Sequence, residues 1–342
     1  MTDVSVSVVI PTLNSASTLA DTLRGVRDQR EAPNNFELIV ADSKSVDGTQ
    51  EIGRKFGATV LETSKRGPAA ARNIGLFQAS GQIVAYLDSD TIPTRWWLHE
   101  ITAPFGDPST IVVGGRNMSF MPETLAERFM SATRTVRNNI ASTDFPFVES
   151  MNMAVRRASA ISIGGWTEDM LTGEDADFSI RMIRAFHTRL VYAPRALIFH
   201  RDRRTDDDLR RQAWGYGQGA AHMYLKHPDR LHWNFATSAK LLGTLAYRTI
   251  APVTNRLGAV FGLASREGVW YSYYLRFWCW WFWWGFISMY LNHAYKPAPK
   301  TPPFGRTAIS PKLQLSRPKT RRIIREAVFK VKSTQRTPRN LP

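Results

Sequence analysis

Cysteine is almost absent: Cys279 is the only one in 342 residues. That excludes an internal disulfide framework and any zinc site built from paired cysteines, and it suits a reducing compartment. A secretory leader is also missing, because Met1-Thr2-Asp3-Val4 has neither a basic start nor a long apolar run, so the expectation is a chain that is not exported. No glycine occurs from Pro11 to Ser17, just after the first apolar run, which argues against the glycine-rich loop of a nucleotidyltransferase. Acids nearly vanish at the other end. From Lys296 to Pro342 there are thirteen Lys and Arg against Glu326 alone, so this stretch carries +12 of the formal +16 and the rest is close to neutral. Basicity is a property of the tail. Such a tail favours salt-dependent contact with polyanions, but it holds no run of aromatics on which bases would stack, so no specific nucleic-acid partner is expected.

What is present begins with alternation. Val4–Ile10, Phe36–Ala41, Thr59–Glu62 and Ile83–Leu87 read as strands, and the segments after Ser15, from Gly48 to Phe56 and from Pro68 to Ala79 read as helices. Ser15 or Ser17 is a candidate cap for the first helix. Strands and helices alternating at this spacing specify an α/β fold with a mostly parallel, doubly wound sheet. The second half is less regular. It offers strands at Ile111–Gly114 and Phe147–Val155, helices at Glu123–Asn139 and Asp175–Phe186, and two short strands flanking Pro194 that end at His200. Leu209–Leu225 reads as a helix loosened by Gly215, Gly217 and Gly219.

The run Ile83-Val84-Ala85-Tyr86-Leu87 ends in Asp88-Ser89-Asp90. Residues two positions apart on an extended chain point to one side, and convergent carboxylates are usually reconciled by a hard divalent cation with phosphate opposite. The alternative is a polar turn with a helix-capping aspartate. Asp42 ends the second strand, where a carboxylate can accept from a base or ribose or simply stabilise the turn. Gly173-Glu174-Asp175-Ala176-Asp177 opens a helix. Acids suit a helix start, but capping does not need all three, and one left over can serve as a general base. His200, after a short strand, is a possible third metal ligand or a hydrogen-bonded surface histidine.

In order along the chain, V-V-I-P-T-L-N, L-I-V-A-D-S-K-S-V-D-G-T, R-G-P-A-A-A-R-N-I-G, Y-L-D-S-D, M-N-M-A-V-R-R, G-G-W and G-E-D-A-D resemble glycosyltransferase family 2 over about Ser5–Leu225. The resemblance implies a GT-A fold, a UDP- or GDP-sugar donor, Mg²⁺ or Mn²⁺, and inversion at the anomeric carbon. It implies that Pro11 and Asn14 lie beside the nucleoside and that Asp42 binds the base. Asp88 and Asp90 match the D-x-D pair, the second making the main metal contact, and His200 matches a histidine that completes the metal site. Arg72 and Asn73 match a helix bordering the donor, Asn152 the segment under the donor sugar, Asp175 the catalytic base and Glu174 its acceptor-contacting neighbour. Ser43 stands where a second aspartate is common. No Q-x-x-R-W follows the E-D motif; Arg210-Arg211-Gln212-Ala213-Trp214-Gly215 stands there instead. That resembles non-processive members acting on lipid-linked, glycan or small acceptors in cell-envelope and polysaccharide synthesis. The competing reading is a basic-tailed nucleic-acid or membrane-surface binder on an inactive sugar-nucleotide fold.

Beyond His227-Pro228 the composition changes. Val269–Leu291 holds six tryptophans, but its uninterrupted apolar part, Phe277–Leu291, falls short of the roughly 20 residues a spanning helix needs. Tryptophan favours the headgroup level, and Arg276 is costly at mid-membrane. The expectation is an interfacial or re-entrant segment at the cytoplasmic face, with a true span or an aromatic core helix as alternatives. The division expected is 1–228 for the GT-A domain, 229–295 for a helical membrane-associated region and 296–342 for a largely disordered tail with one possible helix, Thr320–Lys332.

Overall fold

Four apolar runs make one half of the sheet. The computed structural model describes residues 5–32, 36–134, 146–229, 235–297 and 299–300. By contacts the chain forms two units, Met1–Ala298 and Pro299–Pro342, and everything below concerns the first. The expected tail helix Thr320–Lys332 lies outside the described residues. Strands β1 (Val6–Thr12), β2 (Glu37–Asp42), β3 (Thr59–Glu62) and β4 (Ile83–Leu87) pair in parallel in the order β3-β2-β1-β4. Helices α1 (Leu19–Arg27), α2 (Thr49–Lys55) and α3 (Pro68–Gln78) connect them. Side chains of β1, β2 and β4 are buried on both faces, as continuous apolar runs in a covered parallel sheet should be. No side chain caps α1; its first turn is closed by the Ser15 carbonyl, which accepts from Thr18 and Leu19.

The other half is not parallel to the first throughout, so the sheet is mixed. After β5 (Thr91–Pro93) and α4 (Trp97–Thr102) come β6 (Val112–Ser119), α5 (Leu125–Arg134), β7 (Asn152–Arg156), α6 (Arg157–Ser162), α7 (Glu174–Phe186) and β8 (Val191–His200). The order continues β4-β7-β6-β8-β5, with β7 antiparallel to β4 and β6, β6 parallel to β8, and β5 antiparallel to β8. The two strands expected around Pro194 are one strand. Pairing jumps from Gly115–Ala193 to Arg116–Leu197, so Pro194 sits in a bulge where its missing N–H costs nothing. The carboxyl ends of β1, β2, β4 and β8 and the start of β7 thus share one sheet edge.

Three helices follow: α8 (Asp206–Lys226), α9 (Phe235–Val260) and α10 (Arg266–Asn292). The glycines of α8 do not break it; they admit its neighbours. A Cβ on Gly217 would overlap the Phe282 carbonyl, one on Gly285 the Trp214 carbonyl, and one on Gly219 the Thr172 backbone. With two backbones this close, Tyr274, Trp278, Trp281, Phe286 and Met289 of α10 are buried. Trp281 lies 6.4 Å from Trp214, with the Arg210 guanidinium 5.4 Å from its ring. One face of the Trp-rich stretch is therefore protein core. Among the described residues no helix is long and apolar enough to cross a membrane.

Candidate active site

Two loops at the ends of β1 and β2 are tied to each other by the polar residues between them. Asn14, with φ +49°, donates its N–H to Ser45 Oγ at 2.7 Å and accepts from the Val46 N–H at 3.0 Å. Pro11, half-buried, pairs with Ala41. Asp42 is fully buried, and its carboxylate accepts from Thr12 Oγ1 (2.8 Å), Ser45 N (2.8 Å), Ser45 Oγ (2.6 Å) and Gln50 Nε2 (3.0 Å). Burial works against its charge, yet these donors outweigh it and hold the group below the usual carboxylate range. These bonds use the carboxylate to fix the loop after β2.

Asp88 and Asp90 emerge from β4 but turn to different partners. Asp88 accepts from Arg72 Nη2 at 2.9 Å, while Asp90 Oδ1 lies 3.5 Å from His200 Nε2. His200 is brought there because Thr91, just after Asp90, pairs with it across β5 and β8. Among the described residues no three His, Cys, Asp or Glu side chains form one ligand set. Asp90 and His200 do fit a divalent cation as a pair. His200 Nδ1 lies 3.2 Å from both Asp202 Oδ1 and Arg134 Nη2, which are ion-paired to each other, and these neighbours hold the ring with Nε2 towards Asp90. A neutral imidazole and a carboxylate so placed are a donor pair that a divalent cation can bridge. An imidazole donor suits Mn²⁺ better than Mg²⁺, which keeps to oxygen ligands.

Arg72 of α3 is buried, and the same guanidinium donates to Glu174 Oε1 at 2.8 Å. It lies over the Trp166 ring at 5.2 Å. Trp166 is fixed in turn by stacking on Phe178 (4.2 Å), by its indole N–H to Tyr86 Oη (3.1 Å), and by Asn73, whose Oδ1 accepts from the Trp166 N–H at 2.7 Å. Gly165, at φ +71°, lets that amide approach. Asp177 points the other way, bonded to Thr167, Arg181, Lys226 and His227. Burial opposes its charge, but the Thr167 hydroxyl, Arg181 and Lys226 prevail and take it down to about 2. Asp175 has only the Ala176 N–H as a hydrogen-bond donor among the described contacts. Burial first, then the charges of Glu174 and Glu149, push it up to about 8.

A cavity of about 590 Å³ opens onto Asp88, Arg72, Glu174 and Asp175. Its far walls are largely apolar: Met130 of α5, Phe147 and Met151 before β7, Tyr216 and Met223 of α8, and Phe282 of α10. A carboxylate that titrates near neutrality thus stands between an ion-paired aspartate at the sheet edge and an apolar chamber. Residues 7–164 match the family model described as "Glycosyl transferase family 2". The chain belongs to that family.

Its relatives agree. Over 278 residues the chain is 33% identical to the pre-mycofactocin glycosyltransferase of Mycobacterium tuberculosis, covering 73% of this chain and 56% of that protein. It therefore spans little more than half the length of that relative. It is 28% identical over 246 residues to glycosyltransferase AglE of Haloferax volcanii, covering 69% of this chain and 80% of the relative. In fold this family 2 chain resembles the mannosyltransferase PcManGT from Pyrobaculum calidifontis, solved with GDP-Man and Mn²⁺. The TM-score is 0.58 at 19% identity, over 85% of this chain and 88% of that one.

Against the family pattern, the structure gathers Arg72, Asp88, Glu174 and Asp175 at one cavity and Asp90 with His200 beside it. Asn152 opens β7. It is buried, accepts from the Trp97 indole N–H at 2.8 Å and donates to the Ala196 and Arg116 carbonyls at 2.9 and 3.1 Å, so it fastens strands together. Arg201 is committed to Asp21 at 2.6 Å, and Arg204 sits near Glu123 and Glu127. Sequence reasoning missed Trp166, Asp202, Arg134 and Phe282. The G-G-W triplet was the one available signal, and it carried no role.

Proposed function

We propose that this chain transfers one glycosyl group from a nucleotide-sugar donor to a hydroxyl of an acceptor seated in the cavity, with inversion at the anomeric carbon. The observation that carries the reading is Asp175: a half-buried carboxylate, raised to about 8, on the cavity wall beside the Arg72-bridged pair Asp88 and Glu174. A general base works best when its pKa lies near the working pH. Asp175 takes the acceptor hydroxyl proton as that oxygen bonds to C1, and the C1–O bond to the diphosphate breaks on the opposite face. The proton ends on Asp175 and the electron pair on the departing nucleotide. Arg72 holds Glu174 in place against the acceptor and keeps Asp88 from turning outward. Asp90 and His200 would hold a divalent cation, which when bound offsets charge on the diphosphate. The loop that Asp42 and Asn14 brace borders the nucleoside.

The apolar chamber supports an acceptor whose hydroxyl is carried on an apolar body, such as a lipid-linked or aglycone-bearing glycan, over a highly charged one. The test is nucleotide release from UDP- and GDP-sugars with Mn²⁺, with and without alkyl glycosides and lipid-phosphate acceptors. Acceptor-stimulated release that disappears in Asp175→Asn supports the reading. Release by that variant at the wild-type rate, or none from any donor, refutes it.

A further inference from the structure

The buried side of α10 leaves a question about its partner helix. On α9, Ile250, Val253, Leu257 and Val260 are exposed, as are Phe261 and Leu263 in the turn before α10. Their exposure runs from 57% at Ile250 and Val253 to 85% at Leu263. At helical spacing the first four fall on one face. The opposite face is the docked one: Ala251 is buried, and Asn255 Nδ2 donates to the Gly268 carbonyl of α10 at 3.5 Å. An apolar stripe of this length, ending in two bulky residues at a turn, is not the ordinary scatter of surface hydrophobics.

Charge says what covers it. From Phe235 to Val260 the sequence has Lys240, Arg248 and Arg256 and no acid, and the stretch from Lys296 onward adds +12. Two copies of this chain would bring like charges together. An apolar stripe on a helix whose only charges are basic instead has the composition of a helix lying in the plane of an anionic bilayer.

We propose that α9 and the turn at 261–263 form a membrane-docking surface for anionic lipid, with the helix parallel to the bilayer. The Trp-rich α10 is then a strut more than an anchor. It carries the docking helix on one side and contributes Phe282 to the cavity wall on the other. The inference is independent of the transfer reaction, since it rests on exposed side chains and charge alone.

The experiment is vesicle flotation of the purified full chain with phosphatidylcholine vesicles with and without phosphatidylglycerol, at low and high salt. The wild type should float with the anionic vesicles and keep part of its binding in high salt, because apolar insertion resists screening. The triple variant Ile250→Ser, Val253→Ser, Leu257→Ser should lose binding by at least about tenfold at an unchanged melting temperature, since none of these side chains is buried. A second measurement uses the near-absence of cysteine: Leu263→Cys on a Cys279→Ser background, labelled with a polarity-sensitive dye, should shift to the blue on anionic vesicles. The same label at Ser80→Cys, on the sheet side, should not. Full binding by the triple variant overturns the proposal. So does a wild type that ignores vesicles but dimerises through this face, with the triple variant monomeric.

Discussion

Arg72 donates through Nη1 to Glu174 Oε1 at 2.8 Å, joining the helix after β3 to the helix that carries the candidate base. Its other terminal nitrogen holds Asp88 at 2.9 Å. One buried cation therefore serves the strand-end carboxylate and the E-D motif together. Buried charges persist when each has a partner, and removing one partner leaves the others exposed to the full cost of desolvation.

Arg72→Met should then cost more than its contact area suggests. With Glu174 buried and Asp88 unpaired, stability should fall by about 3–5 kcal/mol, read as a lower denaturant midpoint. Glu174→Gln in the Arg72→Met background should recover part of the loss, because a neutral amide needs no counter-ion. If the double variant is no better than the single, the loss comes from packing against Trp166.

Asp175 predicts a pH profile with a definite sign. The base must be ionised, so kcat/KM for the acceptor should rise with pH through about 8 and level above it. Asp175→Asn should lower the rate by about 10²–10⁴-fold while donor affinity holds. Stability should move the other way. A carboxyl whose folded pKa is raised from 3.8 to about 8 contributes fully below the lower value and loses that contribution as pH climbs through the window. The asparagine variant should therefore melt higher than the wild type above pH 8, and the two should converge as pH falls towards 4.

Asp90 and His200 predict a metal requirement that can be read without turnover. Mn²⁺ binding by calorimetry in the presence of nucleoside diphosphate should be lost in Asp90→Asn. Asp202→Asn, which releases the imidazole from its orientation, should weaken it by about 10–100-fold. Unchanged Mn²⁺ affinity in Asp90→Asn would place the cation elsewhere.

Gly217 predicts a steric effect at a distance from the chemistry. Gly217→Ala puts a methyl against the Phe282 carbonyl and should cost about 1–3 kcal/mol as α8 and α10 part. Because Tyr216 and Phe282 both line the cavity, acceptor KM should rise while donor binding is spared. A variant with normal acceptor KM would show that the cavity walls move independently of this contact.

Much of the first half was legible because its signal is local. β3 begins and ends at Thr59 and Glu62 as periodicity predicts, and β4 stops where the carboxylates begin. Most of what failed depended on partners remote in sequence. β5 is three residues including Pro93, and it is a strand only because β8 pairs with it. The glycines of α8 read as weakness, since the reason for them is the backbone of α10. Asp42 was placed at its strand's end, while Asn152 was read inside a strand from Phe147 that begins only at Asn152; a residue type at a strand end does not reveal which way its side chain turns. For Asp42 the answer lay with Ser45 and Gln50, and for Asn152 with Trp97 and Ala196.

Phe282 gives the cavity a history during synthesis. The sheet-edge carboxylate Asp88 leaves the ribosome long before α10, and at about 5–20 residues per second the delay is on the order of ten to forty seconds. Over that interval the remaining strands and α8 are added, and until α10 follows the chamber lacks the part of its wall that Phe282 supplies. The last helix of the described unit thus completes that wall, so a newly made chain becomes competent only once α10 has been made and packed.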